Sequence, residues 1–181
     1  RGQDTPAVIQ GTTIGMVTED KDLAIVHKLS IMDPDAGQDI FQPENRDTAH
    51  GHFSLQPDGT WTFLLNPTDP AVQALALNET LTEKIIVGSA DGTPCVITVN
   101  IFGSNDTPVI GGVFSGLATE GSATEATGQM VVSDIDATDT HTFTLPTQAG
   151  QYGQFTVDPD GTWHYHLDSN NPDVDALGVG A

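Results

Sequence analysis

The sequence predicts an all-β fold of antiparallel β-sandwich repeats, the second copy truncated before its last two strands. Three observations lead there. An eleven-residue stretch recurs in closely similar form 102 positions later. Apolar residues alternate with polar ones at the period of two that sets one face of a strand against a core. Turn residues punctuate these runs at intervals of roughly 8–12 residues, as in a sandwich of about seven short strands.

The duplication is the strongest of the three. Gly51-His52-Phe53-Ser54-Leu55-Gln56-Pro57-Asp58-Gly59-Thr60-Trp61 returns as Gly153-Gln154-Phe155-Thr156-Val157-Asp158-Pro159-Asp160-Gly161-Thr162-Trp163. Asp4-Thr5-Pro6 returns as Asp106-Thr107-Pro108, and Thr18-Glu19 as Thr119-Glu120. Asp33-Pro34-Asp35-Ala36 returns as Asp134-Ile135-Asp136-Ala137, and the Asn66–Leu75 stretch returns in the one ending at Leu177. A period near one hundred residues is too long for a solenoid repeat and suits one sandwich domain. A complete repeat is expected over residues 5–105 and an incomplete one over 106–181.

In the first copy, Leu23, Ile25, Leu29 and Ile31 fall on one face of a strand, and Ala24, Lys28 and Ser30 on the other. Phe53 and Leu55 lead into Pro57-Asp58-Gly59, where Pro presets φ and Gly accepts a positive φ; Trp61, Phe63 and Leu65 resume the inward row. This is a β-hairpin. Asp69–Leu75 is the one short helical candidate, matched near Pro172–Leu177. Leu81, Ile85 and Val87 form the next row, Ala90-Asp91-Gly92-Thr93 turns the chain, and Cys95, Ile97, Val99 and Ile101 return it. The second copy repeats the design with Met130 and Val132, Phe143 and Leu145, Phe155 and Val157, then Trp163, Tyr165 and Leu167. It stops before any counterpart of Leu81 to Phe102, so the chain reads as cut from something longer, within a repeat. Unpaired sheet edges and an open apolar face should follow. The second copy is then either loosely ordered or completed by another segment, strand exchange between chains being one route.

Composition narrows the function. Five basic against 25 acidic residues give a net charge of −20. Nucleic acid and anionic membrane surfaces are excluded as partners, because both require Lys and Arg to neutralise phosphates. The strict alternation argues against disorder, no apolar run approaches the ~20 residues of a membrane helix, and no signal peptide is visible. A single cysteine, Cys95, permits no internal disulfide.

With duplication and strand rows established, the sequence resembles the VCBS repeat family of large bacterial surface proteins. The resemblance rests on the opening Thr-Glu, the Asp-x-Asp-Ala, the Gly-x-Phe…Asp-Gly-Thr-Trp hairpin and the Ala-Val-Gln-Ala-Leu turn. Ser89-Ala90-Asp91-Gly92-Thr93 and Gly103-Ser104-Asn105-Asp106-Thr107-Pro108 complete it, so that it spans nearly the whole chain. It implies tandem arrays in secreted adhesins and biofilm-associated proteins, a location at the cell surface, neighbouring repeats of the same polypeptide as partners, and no catalytic residues. The acidic pattern is also similar to cadherin repeats, in which such groups hold calcium between successive domains. Carried over, that resemblance implies junction ligands Glu19, Asn105, Asp106, Asp134 and Asp136, while Asp33, Asp35 and Asp91 would face a preceding repeat. The linker here is poorer in acids than the cadherin pattern, and no Asp-x-Glu counterpart stands in the chain.

Elementary chemistry bears on the same residues. Calcium takes 6–8 oxygens in flexible geometry, and alternate carboxylates such as Asp134 and Asp136 share one side of an extended strand. The competing reading is that Asp-x-Asp and Asn-Asp simply make turns by bonding their own backbone. His164 and His166, like His50 and His52, share a face at a spacing that could chelate a metal, but they occupy the outward row, where solvated histidines belong. Cys95 sits in an inward row, so an inert, buried thiol is expected. The serines lack a nucleophile-elbow context, and acids duplicated in duplicated turns suit a repeated structural task better than one active site. The expected function is a calcium-stiffened spacer of a surface adhesin. The alternative is a carbohydrate- or protein-binding module, for which Tyr152 and Phe114 are the loose aromatic candidates, Trp61 and Trp163 being core by alternation.

Overall fold

Burial follows the predicted alternation along every long strand of the first repeat. The computed structural model describes residues 3–178. The first repeat comprises β1 (Val8–Gly11), β2 (Ile14–Thr18), β3 (Ala24–Met32), β4 (Glu44–Asp47), β5 (Gly51–Leu55), β6 (Thr60–Leu65), α1 (Pro70–Gln73), β7 (Thr80–Gly88) and β8 (Pro94–Phe102). The second comprises β9 (Val109–Gly112), β10 (Glu125–Ser133), β11 (Gln148–Ala149), β12 (Gly153–Val157), β13 (Thr162–Leu167) and α2 (Pro172–Asp175). The chain separates into two compact units. Unit 1 is the first repeat to Asp106 together with Ile135–Thr138; unit 2 is Thr107–Asp134 and the residues from Asp139 on.

Unit 1 is a sandwich of two sheets, one in the order β1-β3-β6-β5-β4 and one in the order β2-β8-β7. Phe53, Trp61, Phe63 and Leu65 of the first sheet meet Val17, Ile85, Val87, Ile97, Val99 and Ile101 of the second in one buried cluster. Each such side chain contributes about 1.5–3 kcal/mol by leaving water. Trp61 is fully buried, and its Nε1 donates to Thr12 O at 2.9 Å, so no polar atom of the ring is stranded. The β5–β6 hairpin turns at Gly59, whose φ is +85°. Asp58 closes that turn by accepting from Thr60 N (2.9 Å) and pairs with Lys28 Nζ (2.8 Å). The short helix α1 begins where Asp69 caps it, accepting from Ala71 N at 2.8 Å with Pro70 in the first turn.

Unit 2 has one five-stranded sheet, in the order β11-β12-β13-β10-β9. The β12–β13 hairpin repeats the β5–β6 pairing, Trp163 Nε1 donates to Val113 O at 2.7 Å, and Asn171 caps α2 by accepting from Asp173 N. Among the described residues nothing corresponds to β7 and β8.

Three features depart from the sequence reading. β1 and β2 were not foreseen. In β2 the residues facing inward are Gly15 and Val17, while Ile14 and Met16 are 57% and 62% exposed, so the hydrophobic pattern points the wrong way. β2 also pairs in parallel, with β8, rather than with a sequence neighbour. Phe143 and Leu145 do not form the strand row expected of them: Phe143 N bonds to Pro159 O at 3.1 Å, and Leu145 is half exposed. The counterpart of Phe143 is Phe41, which is buried and bridges to Ser89 at the end of β7. Among the described residues of unit 2 there is no such bridge.

Candidate cation site

The segment after β2 carries the acidic centre of unit 1. Glu19 N donates to Phe102 O at 2.9 Å, which ties this turn to the end of β8 and drives the Glu19 side chain inward to 1% exposure. Its Oε1 accepts from Nε2 of Gln73, the last residue of α1, at 2.6 Å, and Oε2 faces Ser104 N at 3.4 Å. Asp20 follows with φ of +58°, a left-handed conformation that Asp tolerates better than most residues. Asp106 lies at the end of the linker after β8, and its N–H donates to Asp136 Oδ2 at 2.8 Å. Asp136 is itself 2% exposed. The segment carrying it is fastened to unit 1 by Ala137 N to Ala74 O (3.1 Å) and by Thr138 Oγ1 to Glu79 Oε1 (3.0 Å).

Carboxylate oxygens of Glu19, Asp20 and Asp106 lie within 4.8 Å of one another. Burial pushes the Glu19 carboxyl up to about 7 from 4.5; the Ser104 amide opposes this, and the charges of Asp106, Asp20 and Asp136 add to it. A carboxylate so placed is stabilised as an anion when a cation joins it. The donors are all oxygen, which suits a hard cation such as calcium rather than a thiolate- or imidazole-loving metal.

The predicted junction ligands therefore divide. Glu19, Asp106 and Asp136 converge in unit 1, with Asn105 beside them, whose Nδ2 bonds to Asp106 O. Asp134 belongs to unit 2, where its Oδ2 pairs with His141 Nε2 at 2.8 Å and groups with Asp139. Of the three residues assigned to a preceding repeat, Asp35 Oδ2 accepts from Thr5 N at 2.8 Å, one residue along from the position equivalent to Asp106, whose N–H Asp136 accepts from in the second copy. Asp33 Oδ1 accepts from Asp35 N, and Asp33 Oδ2 is buried without a hydrogen-bond partner among the described residues. Asp91 is a clasp. It accepts from Ser89 Oγ, from Thr93 N (2.9 Å) and Oγ1 (2.7 Å), and from Ala7 N (2.9 Å), and these bonds hold it well below the usual carboxylate range.

Sequence reasoning missed Asp20, Asp139 and His141. For Asp20 a signal was present: its counterpart is Gly121, whose φ is +71°, so both copies mark a left-handed position there. Asp139 and His141 align with Gln38 and Ile40, so the repeat gives no hint of them. The His164 and His166 rings lie parallel with centroids 6.5 Å apart, both on the face where Glu125 pairs with His164 Nδ1 at 2.7 Å. His50 is less exposed than an outward row implies and pairs with Asp69 at 3.0 Å. Cys95 packs against the core, and burial raises its thiol pKa.

Comparison with known proteins agrees with this architecture. Residues 105–180 match the family model described as Bacterial Ig domain. The chain is similar in structure to PcdhgB3 EC1-4 at 15% identity and TM-score 0.50, covering 92% of this chain and 42% of that one. It is similar also to the Protocadherin gammaB7 EC3-6 cis-dimer at 17% identity and TM-score 0.52, covering 91% and 40%. This chain thus spans about two fifths of the length of those structures, and the likeness shows an immunoglobulin/cadherin-like β-sandwich fold. No curated protein sequence matches the chain. Among the described residues no helix is long and apolar enough to cross a membrane.

Proposed function

We propose that the chain is a non-enzymatic structural spacer of an extracellular, adhesion-type protein. In this reading its repeats hold a distal binding part away from a cell surface, as the VCBS resemblance implies, and calcium stiffens them. Glu19, Asp20, Asp106 and Asp136, with Asn105 beside them, would hold the ion, which supplies charge neutralisation and a rigid oxygen cage. Asp106 and Asp136 flank stretches where the chain passes from one repeat to the other, so an ion bound there would restrain the linker. The observation that carries the reading is the burial of two carboxylates, Glu19 and Asp136, beside Asp106 and Asp20, in a chain of net charge −20. Like charges so close repel, and a divalent cation offsets that repulsion.

Small-angle scattering and thermal melting, each in calcium and in chelator, test it. A ligand at one hundred times its Kd stabilises the folded state by about 2.7 kcal/mol, or roughly 10 °C or more in Tm for a unit of this size. A longer, stiffer particle with a raised Tm in calcium is the expected outcome. Identical scattering and melting in both buffers would remove calcium from the function.

A further inference from the structure

The two repeats provide an internal comparison: the same inward residues with and without a second sheet. In unit 1, Phe53, Phe63 and Leu65 are buried under β7 and β8. Their counterparts Phe155, Tyr165 and Leu167 are only half-buried, and Leu177 is 54% exposed where Leu75 is 8%. These residues, with Phe114 and Tyr152, line an open apolar groove of about 690 Å³ in unit 2.

A second difference concerns the backbone. β2 exists in unit 1 because β8 pairs with it in parallel, from Ile14 opposite Thr98 to Thr18 opposite Phe102. The matching segment Ser115–Thr119 keeps the same seat: a Cβ on Gly116 would meet Trp163 Cη2 at 2.8 Å, just as one on Gly15 would meet Trp61 Cη2 at 2.8 Å. Yet Ser115–Thr119 is not a strand, and Leu117 is 90% exposed. A strand-ready edge and an apolar groove thus lie side by side, and β8 and β7 meet both needs in unit 1.

We infer that unit 2 is an acceptor for a two-stranded β-hairpin of the kind that Thr80–Phe102 forms, carrying Ile85 and Val87 on one strand and Ile97, Val99 and Ile101 on the other. The hairpin's second strand pairs in parallel with Ser115–Thr119, in the register Ser115 to Thr98 through Thr119 to Phe102, and its apolar row fills the groove. Backbone pairing gives affinity, and the alternating side chains give selectivity, as in recognition by strand addition. Burial of the groove follows from the same apolar transfer that closes unit 1.

The probe is a synthetic peptide of Glu79–Gly103 with Cys95→Ser, added to the chain and followed by amide hydrogen exchange and melting. Exchange at residues 115–119 should slow by about tenfold or more, and the Tm of unit 2 should rise by about 5 °C or more. The same peptide with Ile97→Asp and Ile101→Asp should do neither. A peptide can self-associate, so a fusion provides the second arm. The 102-residue offset places the counterpart of Thr80 directly after Ala181, and Thr80–Phe102 appended there should become protected together with residues 115–119. Failure of the fused hairpin to gain protection overturns the inference. So does a concentration-dependent dimer that protects residues 115–119 without any added hairpin, because the groove would then serve a second copy of unit 2.

Discussion

Replacing Glu19 by Gln should stabilise unit 1 in the absence of metal and, on the calcium reading proposed above, remove the response to calcium. Glu19 is 1% exposed, and its carboxyl is pushed up from 4.5 to about 7, first by burial and then by the charges of Asp106, Asp20 and Asp136. The sign follows from linkage. Between pH 4.5 and about 7 the unfolded chain has released this proton and the folded chain has kept it, so stability falls as pH rises through that window and levels off above it. The shift corresponds to about 3 kcal/mol at pH 8. Gln carries no charge to desolvate, but it cannot accept at both oxygens as Glu19 does from Gln73 and Ser104, a loss of about 1 kcal/mol. The net gain is about 2 kcal/mol, or a Tm higher by about 10 °C for a unit of this size. The assay is calorimetric melting of both proteins in chelator from pH 4 to 8.5. The difference between their curves isolates Glu19 from every other titrating carboxylate. At pH 4 to 4.5 the gap should vanish or reverse slightly, and it should open toward pH 8. Curves that stay parallel across this range, or a variant less stable than the parent at pH 8, would refute the account of a buried, repelled carboxylate.

Other expectations follow from the same geometry. Asp91→Ala releases the amides of Ala7 and Thr93 and the hydroxyls of Ser89 and Thr93; hydrogen exchange should show both amides deprotected and unit 1 should melt at a lower temperature. Because the Asp91 carboxyl is held below its ordinary 3.8, its contribution is present above that value and is lost as pH falls, so parent and variant should converge on acidification. Gly59→Ala places a Cβ 2.2 Å from Leu29 O at a φ of +85°, and denaturant melts should show a loss of about 1–3 kcal/mol. Phe53→Ala should cost unit 1 about 3–5 kcal/mol. Phe155→Ala, at the equivalent but half-buried position, should cost unit 2 less than half as much, and equal losses would mean that the groove is not open.

Much of the fold was legible because strand rows and turns are local. Leu29, Phe53, Trp61, Phe63, Ile97 and Ile101 all lie inward where alternation placed them, and Pro57-Asp58-Gly59 turns the hairpin as its residue types require. Where the alternation failed, the cause was a non-local partner. β2 turns Ile14 and Met16 outward because Gly15 must pass against the Trp61 ring, and neither that contact nor the parallel pairing with β8 has a signature within five residues of sequence. Phe143 sits as Phe41 does, in a segment that is not a strand in either unit, and the isolated bridge from Phe41 to Ser89 has no counterpart among the described residues of unit 2.

The candidate site was legible in its residue types and only partly in its membership. The resemblance to cadherin repeats implied Glu19, Asp106 and Asp136 together, and each of them lies in a motif that the duplication repeats: Thr-Glu, Asp-Thr-Pro and Asp-x-Asp-Ala. By itself the sequence determined the sandwich architecture, the internal duplication and an acidity that disfavours phosphate-bearing partners. Tertiary structure alone decided that Glu19 and Asp136 are buried, that Asp20 joins them, that Asp91 is spent on a turn, and that Asp134 pairs with His141 in unit 2. The physical reason is range. Alternation, capping and turn chemistry act over a few residues, whereas the burial and charge environment of a carboxylate depend on segments brought together from 30 to 85 positions away.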